Sequence, residues 1–73
     1  MGAVQIYVAL IDEGVDVWRP VQARPLGGDE FEILDVPPPD ESWQFQRGLR
    51  VRCRTKVFSS GESGLVAYEA VAP

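Results

Sequence analysis

The chain has 73 residues, 45% apolar and 25% charged, with a formal net charge of −4. This balance is typical of a globular protein and argues against intrinsic disorder. The chain has no histidine and a single cysteine, Cys53, so it can build neither an intramolecular disulfide nor a zinc site of cysteine and histidine ligands. Stability must therefore come from core packing or from self-association.

The first predicted element is a strand over residues 4–11, because two sets of residues alternate along it. One face would carry Val4, Ile6, Val8 and Leu10, and the other Gln5, Tyr7, Ala9 and Ile11. Both faces are fairly apolar, which predicts a strand that is covered on both sides or lies at an interface. Asp12, Glu13 and Gly14 then predict a turn.

Residues 15–24 predict a second strand, in which Pro20 marks an edge position, a bulge or a bend because it has no N–H group. A turn over residues 25–29 leads to a third strand over residues 30–35, with Phe31 and Ile33 on one face. The second and third strands are predicted to form a hairpin.

The segment 36–42 contains Pro37, Pro38 and Pro39, which cannot donate to a sheet. It predicts a rigid, exposed connection, with a docking segment for a partner as the alternative. Trp43 and Phe45 then bring two aromatic rings to one side, and residues 47–48 predict a further turn.

The strongest predicted strand runs over residues 49–58 and returns over residues 65–71 after a flexible loop. Its inner face would carry Leu49, Val51, Cys53, Thr55 and Val57, and its outer face Arg50, Arg52, Arg54 and Lys56. The predicted antiparallel register sets Cys53 opposite Tyr68, Val51 opposite Ala70 and Thr55 opposite Val66 inside, and Arg52 opposite Glu69 outside.

No segment shows a helical period, and short strands with frequent turn signals are typical of a barrel. The predicted fold is all-β: one small, five-stranded, SH3-like barrel spanning residues 1–73. A closed barrel would also hide the edges of the sheet.

The run from Tyr7 to Val21, which contains Asp-Glu-Gly-Val-Asp-Val-Trp-Arg-Pro-Val, resembles a stretch shared by a group of small bacterial proteins. Those proteins continue with a glycine turn, a spaced Trp-Phe-Gly-Val-Cys pattern and a final hairpin. The matching residues here are Trp43, Phe45, Gly48, Val51 and Cys53. The resemblance covers nearly the whole chain and implies a compact β-barrel, but it carries no agreed activity.

The tetrapeptide Val4-Gln5-Ile6-Tyr7 is similar to one in plasmid-borne type II dihydrofolate reductases, which are small SH3-like barrels acting as tetramers. In that family the tetrapeptide lies near the end of the chain, whereas here it opens the first strand. The rest of the family's pattern is missing in order. The similarity therefore does not transfer the activity.

The cationic row Arg50, Arg52, Arg54 and Lys56 is the sharpest charge feature. It could follow a phosphate backbone or an acidic partner. The acidic total favours the other interpretation, a solvated outer face balanced by neighbouring carboxylates. The expected ion pairs are Arg52 with Glu69 and Arg24 with Glu30.

Tyr7, Trp18, Trp43 and Phe45 could form an aromatic platform for a peptide, although two tryptophans in so small a chain more often belong to the core. Trp18 is the better candidate for exposure. The candidate partner surface thus comprises Tyr7, Trp18, Arg19, Arg50, Arg52, Arg54 and Lys56.

The sequence predicts no catalytic, metal or cofactor site. The carboxylates of residues 12–16 lack the spacing of a calcium loop, and Cys53 is expected to be a buried apolar residue. The start of the chain lacks the features of a signal peptide and no run could span a membrane, so a cytoplasmic protein is expected. The favoured function is a non-catalytic module that binds a protein or peptide. The alternatives are a homo-oligomeric structural protein and a nucleic-acid-binding module that uses the basic strand.

Overall fold

Alternation of apolar and polar residues produces five β-strands in the computed structural model, which describes residues 2–11 and 17–71. The strands are β1 (Val4–Ala9), β2 (Trp18–Gly27), β3 (Glu30–Ile33), β4 (Arg50–Val57) and β5 (Ser63–Ala70). The predicted turn over residues 12–14 and the predicted start of the second strand at Val15 lie outside the described residues.

The five strands follow one another around a closed barrel in the order β1-β2-β3-β4-β5. Each consecutive pair is antiparallel, and β1 and β5 close the ring through a parallel pairing of Tyr7 with Val66. The prediction of an all-β, five-stranded barrel is therefore confirmed. The described part of the chain contains no helix long and apolar enough to cross a membrane.

The inward faces of the strands form one apolar core. Its members are Ile6, Val8, Leu10, Val21, Ala23, Phe31, Ile33, Trp43, Phe45, Val51, Cys53 and Ala67. The described residues include no polar or charged residue that is buried. Trp43 and Phe45 enter the core from the connection between β3 and β4, where Leu10 and Trp43 form an isolated bridge. The connection therefore completes the core.

The predicted hairpin of β2 and β3 is confirmed, but β2 extends to Gly27, into the predicted turn. A register shift between Pro25 and Gly27 precedes the reversal, and Gly27 and Gly28 both have positive φ. Pro20 lies in the part of β2 that continues past β3 and is paired there with Tyr7 of β1. Its missing N–H group therefore faces no third strand.

The predicted register is correct where the start of β4 pairs with the end of β5, and wrong over the rest of this hairpin. Val51 faces Ala70 and Arg52 faces Glu69 as predicted, but Cys53 then faces Ala67 instead of Tyr68, and Thr55 faces Leu65 instead of Val66. The shift is a β-bulge that leaves Tyr68 as the additional residue, 38% exposed on the surface.

The inner face of β4 is also shorter than the alternation predicts. Val51 and Cys53 are buried, whereas Leu49 is 41% and Val57 67% exposed, and Thr55 is exposed as well. Leu49 precedes β4, and β3 pairs with β4 only over residues 50–52, so among the described residues the later part of β4 has a neighbouring strand on one side, β5.

Val51 and Val57 allow a matched test of this boundary, since they lie on the same strand at 0% and 67% exposure. Val51→Ala removes buried methyl groups and leaves a cavity, so the free energy of unfolding should fall by about 2 kcal/mol. Val57→Ala should change it by less than about 0.5 kcal/mol. Urea unfolding followed by tryptophan fluorescence measures both, and equal effects would contradict the described core.

Candidate binding surface

An aromatic cluster lies on the outer face of the barrel. Tyr7 of β1 and Phe58, directly after β4, meet edge to face with their ring centroids 4.9 Å apart. The ring centroids of Trp18, in β2, and Phe58 are 6.3 Å apart. Tyr7 also accepts a hydrogen bond from the Gln5 amide at 3.0 Å through its hydroxyl oxygen. Three separated segments thus place their rings on one outward patch.

Gly64 of β5 makes room for this cluster. A Cβ atom at this position would lie 2.6 Å from Cε1 of Tyr7 and 3.2 Å from Cε2 of Phe58. Both rings therefore pack over bare backbone, where any side chain would displace them. Gly64 was predicted to end the flexible loop before the last strand; in the structure it belongs to β5 and is a packing requirement.

A shallow groove of about 310 Å³ opens beside the cluster. Its walls are Trp18, Lys56, Val57, Phe58 and Ser59. Its volume is at the lower limit of roughly 300–1,000 Å³ that is usual for small-molecule sites. A groove of this size suits one or two side chains of a partner.

The groove combines an aromatic face and a cation. The Lys56 ammonium nitrogen lies 5.9 Å from the centre of the Trp18 ring. The Trp18 indole nitrogen is itself inaccessible to solvent and has no acceptor among the described residues. A buried N–H group without an acceptor is costly, but because this nitrogen is closed to solvent it is not a contact point on the groove surface.

Two of the four cations in the row, Arg50 and Arg52, are neutralised by carboxylates on neighbouring strands. Arg52 donates a 3.0 Å hydrogen bond to Glu69 and lies within 4 Å of Asp29 and Glu30. The hydrogen bond to Glu69, with the nearby carboxylates, raises the pKa of Arg52. Arg50 also contacts Glu30, at 4.0 Å. These two arginines belong to a surface ion-pair network, as the solvated-face interpretation predicts.

The predicted pair of Arg24 with Glu30 is wrong. Arg24 binds Glu32, its direct partner across β2 and β3, while Glu30 faces Arg52 across β3 and β4. The difference follows from the register, because side chains pair with the residue directly opposite on the same face.

The other half of the row has no carboxylate within 4 Å in residues 2–11 and 17–71. The Arg54 guanidinium carbon instead lies 4.8 Å from the centre of the Tyr68 ring, and Lys56 lies over Trp18. Both contacts have the geometry of cation–π interactions. Among the described residues, Arg54 and Lys56 are therefore the cations of the row without a carboxylate partner.

The remaining candidates are placed elsewhere. Arg19 forms an ion pair with Glu41, whose carboxylate also accepts a 3.0 Å hydrogen bond from the Trp43 indole nitrogen. The pKa of Glu41 is lowered, mainly by the hydrogen bond from Trp43 and further by the hydrogen bond from Arg19. Trp43 and Phe45 are buried, so of the four aromatic candidates only Tyr7 and Trp18 face outward.

Sequence reasoning missed two members of the site, Phe58 and Gly64. Phe58 follows Lys56 by two residues and therefore shares the outward face of the cationic row, so alternation was a usable signal. The role of Gly64 depends on two rings that arrive from other strands, and no local pattern encodes that approach.

Cys53 is buried, as alternation predicts, at 3% exposure. Burial, with a smaller contribution from the negative charge of Asp29, raises the pKa of its thiol to about 11. The described residues contain no group of three or more cysteine, aspartate or glutamate side chains close enough to hold a metal ion.

These features define the chain as a small all-β barrel with an outward aromatic and cationic groove. Comparison with protein-family models, curated proteins and solved structures gives no significant match. Functional conclusions therefore depend on the geometry of the surface itself.

Gly64→Ala tests how the cluster is built. Alanine normally stabilises a strand relative to glycine, but here its methyl group would displace Tyr7 and Phe58. We expect the free energy of unfolding to fall by about 1–3 kcal/mol and the ring resonances of Tyr7 and Phe58 to shift in NMR spectra. Ser63→Ala, at the exposed neighbouring position, is the control and should leave both unchanged. A more stable Gly64→Ala variant would contradict the packing.

The raised pKa of Cys53 predicts slow alkylation. The thiolate is the reactive form, so at pH 8.5 iodoacetamide should modify the folded protein at least about 100-fold more slowly than the chain unfolded in urea. Mass spectrometry follows the modification. Comparable rates in the folded and unfolded states would show that the thiol is accessible and ionised.

Proposed function

We propose that this protein is a non-catalytic binding module that takes a short protein segment in the groove beside Trp18. One observation carries the proposal: the Trp18 and Phe58 rings and the Lys56 side chain line one groove, with the Lys56 ammonium nitrogen 5.9 Å from the centre of the Trp18 ring. Peptide-binding surfaces use this combination, in which rings contact extended backbone and polar groups fix its direction.

The cation and the rings select the chemistry of the segment. Lys56 favours a carboxylate. The aromatic faces favour proline, which packs flat against rings and is already ordered in an extended conformation. The preferred ligand is therefore an extended, proline-containing segment with an acidic residue beside the prolines.

A nucleic-acid ligand is less well supported. Arg50 and Arg52 are engaged by carboxylates, so two of the four cations of the row stay available for phosphates. Glu30, Glu69 and Asp29 lie among these cations and would repel a phosphate backbone. A polyanion would need to displace these pairs, whereas a single carboxylate would not.

A homo-oligomer built on the outward side of β1 is also less well supported. Tyr7 of that face is engaged by Phe58 and Gln5, and Ala9 is half-buried. Of the three apolar residues predicted on that face, Tyr7, Ala9 and Ile11, only Ile11 is exposed, at 59%. One exposed aliphatic side chain is normal on a protein surface and does not make an interface.

The test uses a blocked peptide in which two prolines precede an aspartate, and its counterpart with asparagine. In ¹⁵N NMR titrations we expect the acidic peptide to shift the Trp18 indole signal and the amides of residues 56–59. Lys56→Gln should weaken binding by about 3–10-fold and reduce its salt dependence, because one charge contact is lost.

Arg24→Gln is the matched control, because it removes one positive charge that pairs with Glu32 away from the groove. Its affinity should equal that of the unmodified protein. Shifts that fall on the Arg50 and Arg52 amides while residues 56–59 stay unchanged would refute the proposed site. A response to a short oligothymidylate and to neither peptide would favour the nucleic-acid alternative.

A further inference from the structure

We infer that the segment taken by the groove is the proline loop of a second copy of this chain, residues 36–40. This inference rests on the proposed function, since it names the occupant of the same groove. The chain carries both halves of the contact: a groove that needs a proline-rich acidic ligand, and an exposed loop with the sequence Val-Pro-Pro-Pro-Asp.

The loop is presented outward. Val36 is 62% exposed, and Pro38, Pro39 and Asp40 are also exposed. The Glu41 N–H donates a 3.1 Å hydrogen bond to the carbonyl oxygen of Pro38, which closes a turn with Pro39 and Asp40 at its tip. The loop therefore offers its proline and its carboxylate side by side.

The loop is also held rigidly at its base. Glu41 is fixed by Arg19 and by the Trp43 indole nitrogen, and the carboxylate of Asp35 accepts a 2.9 Å hydrogen bond from the Gln22 N–H. Three consecutive prolines restrict the backbone between these two anchors. A segment that is already ordered loses little conformational entropy on binding, which favours its use as a ligand.

The loop and the groove carry complementary charges that have no partner among the described residues. Asp40 has no cation within 4 Å among the described residues, and Lys56 has no carboxylate there. The proline rings supply apolar faces for Trp18 and Phe58. Each group without a partner on one side thus has a chemical counterpart on the other.

The contact must form between two chains, because none of residues 36–40 lines the groove of its own chain. Each copy would offer one loop and one groove, so the association is head-to-tail and gives rings or open chains of copies. The contact is small compared with the roughly 1,200–2,000 Å² of stable interfaces, so we expect a dissociation constant on the order of 0.1–1 mM.

The first experiment uses a synthetic peptide of residues 34–42, blocked at both ends, added to the full ¹⁵N-labelled protein. We expect shifts at the Trp18 indole N–H and at residues 56–59, and a weaker response to the same peptide carrying Asp40→Asn. Sedimentation of the unmodified protein should show a mass that rises with concentration up to about 1 mM.

The second experiment reverses charges. Lys56→Glu and Asp40→Lys should each abolish the concentration-dependent mass, since each places like charges together. Mixing the two variants should restore association, because the loop of each then meets a groove of opposite charge. Arg24→Glu, which reverses a charge outside the groove, should associate like the unmodified protein.

The outcomes separate this inference from the proposed function. A strict monomer whose groove ignores the 34–42 peptide but binds the unrelated acidic proline peptide would overturn the self-association and leave the proposed function intact. A groove that ignores both peptides would overturn both. Association that survives both charge reversals would show that copies meet through another surface, which also overturns the inference.

Discussion

Closure of the sheet is the constraint on which the rest of this barrel depends. Because its single cysteine can form no intramolecular disulfide, the chain must bury its apolar residues on the inside of one curved sheet and leave few strand edges free. The parallel pairing of Tyr7 with Val66 performs that closure. The seam between β1 and β5 also brings Tyr7 beside Gly64 and Phe58, so the closure that completes the core also assembles the outer aromatic cluster.

The bulge between β4 and β5 determines which side chains of the hairpin enter the core and which lie on the surface. The additional residue at Tyr68 turns its ring outward, where Arg54 covers it, and leaves the small side chain of Ala67 opposite Cys53. Inside the barrel, Ala67 therefore packs beside Cys53, and the Tyr68 hydroxyl is not buried in the core. Outside, Arg54 is held over a ring and kept apart from the carboxylates that neutralise Arg50 and Arg52. The uneven distribution of free positive charge along the strand thus follows from backbone register.

Alternation predicted much of the fold, because a strand that buries one face must repeat every two residues. It placed Cys53 and Val51 inside and paired Arg52 with Glu69 correctly. It failed at Tyr68, since a bulge adds one residue without changing the composition of the strand. Of the groove residues, Trp18 and Lys56 were predicted as candidates and Phe58 was missed. The packing of Phe58 and Tyr7 over Gly64 depends on contacts between distant segments, which no local pattern predicts.

The double attachment of Glu41 has a consequence for how the protein would respond to ligands. Its carboxylate binds Arg19 at the surface and the indole nitrogen of Trp43, whose ring is 5% exposed in the core. Any force that pulls the adjacent proline loop is therefore transmitted to a core side chain, and any event that fixes the loop also restrains that side chain. Loop position and local core opening become thermodynamically linked, so occupation of the loop would slow hydrogen exchange at buried amides that no ligand touches.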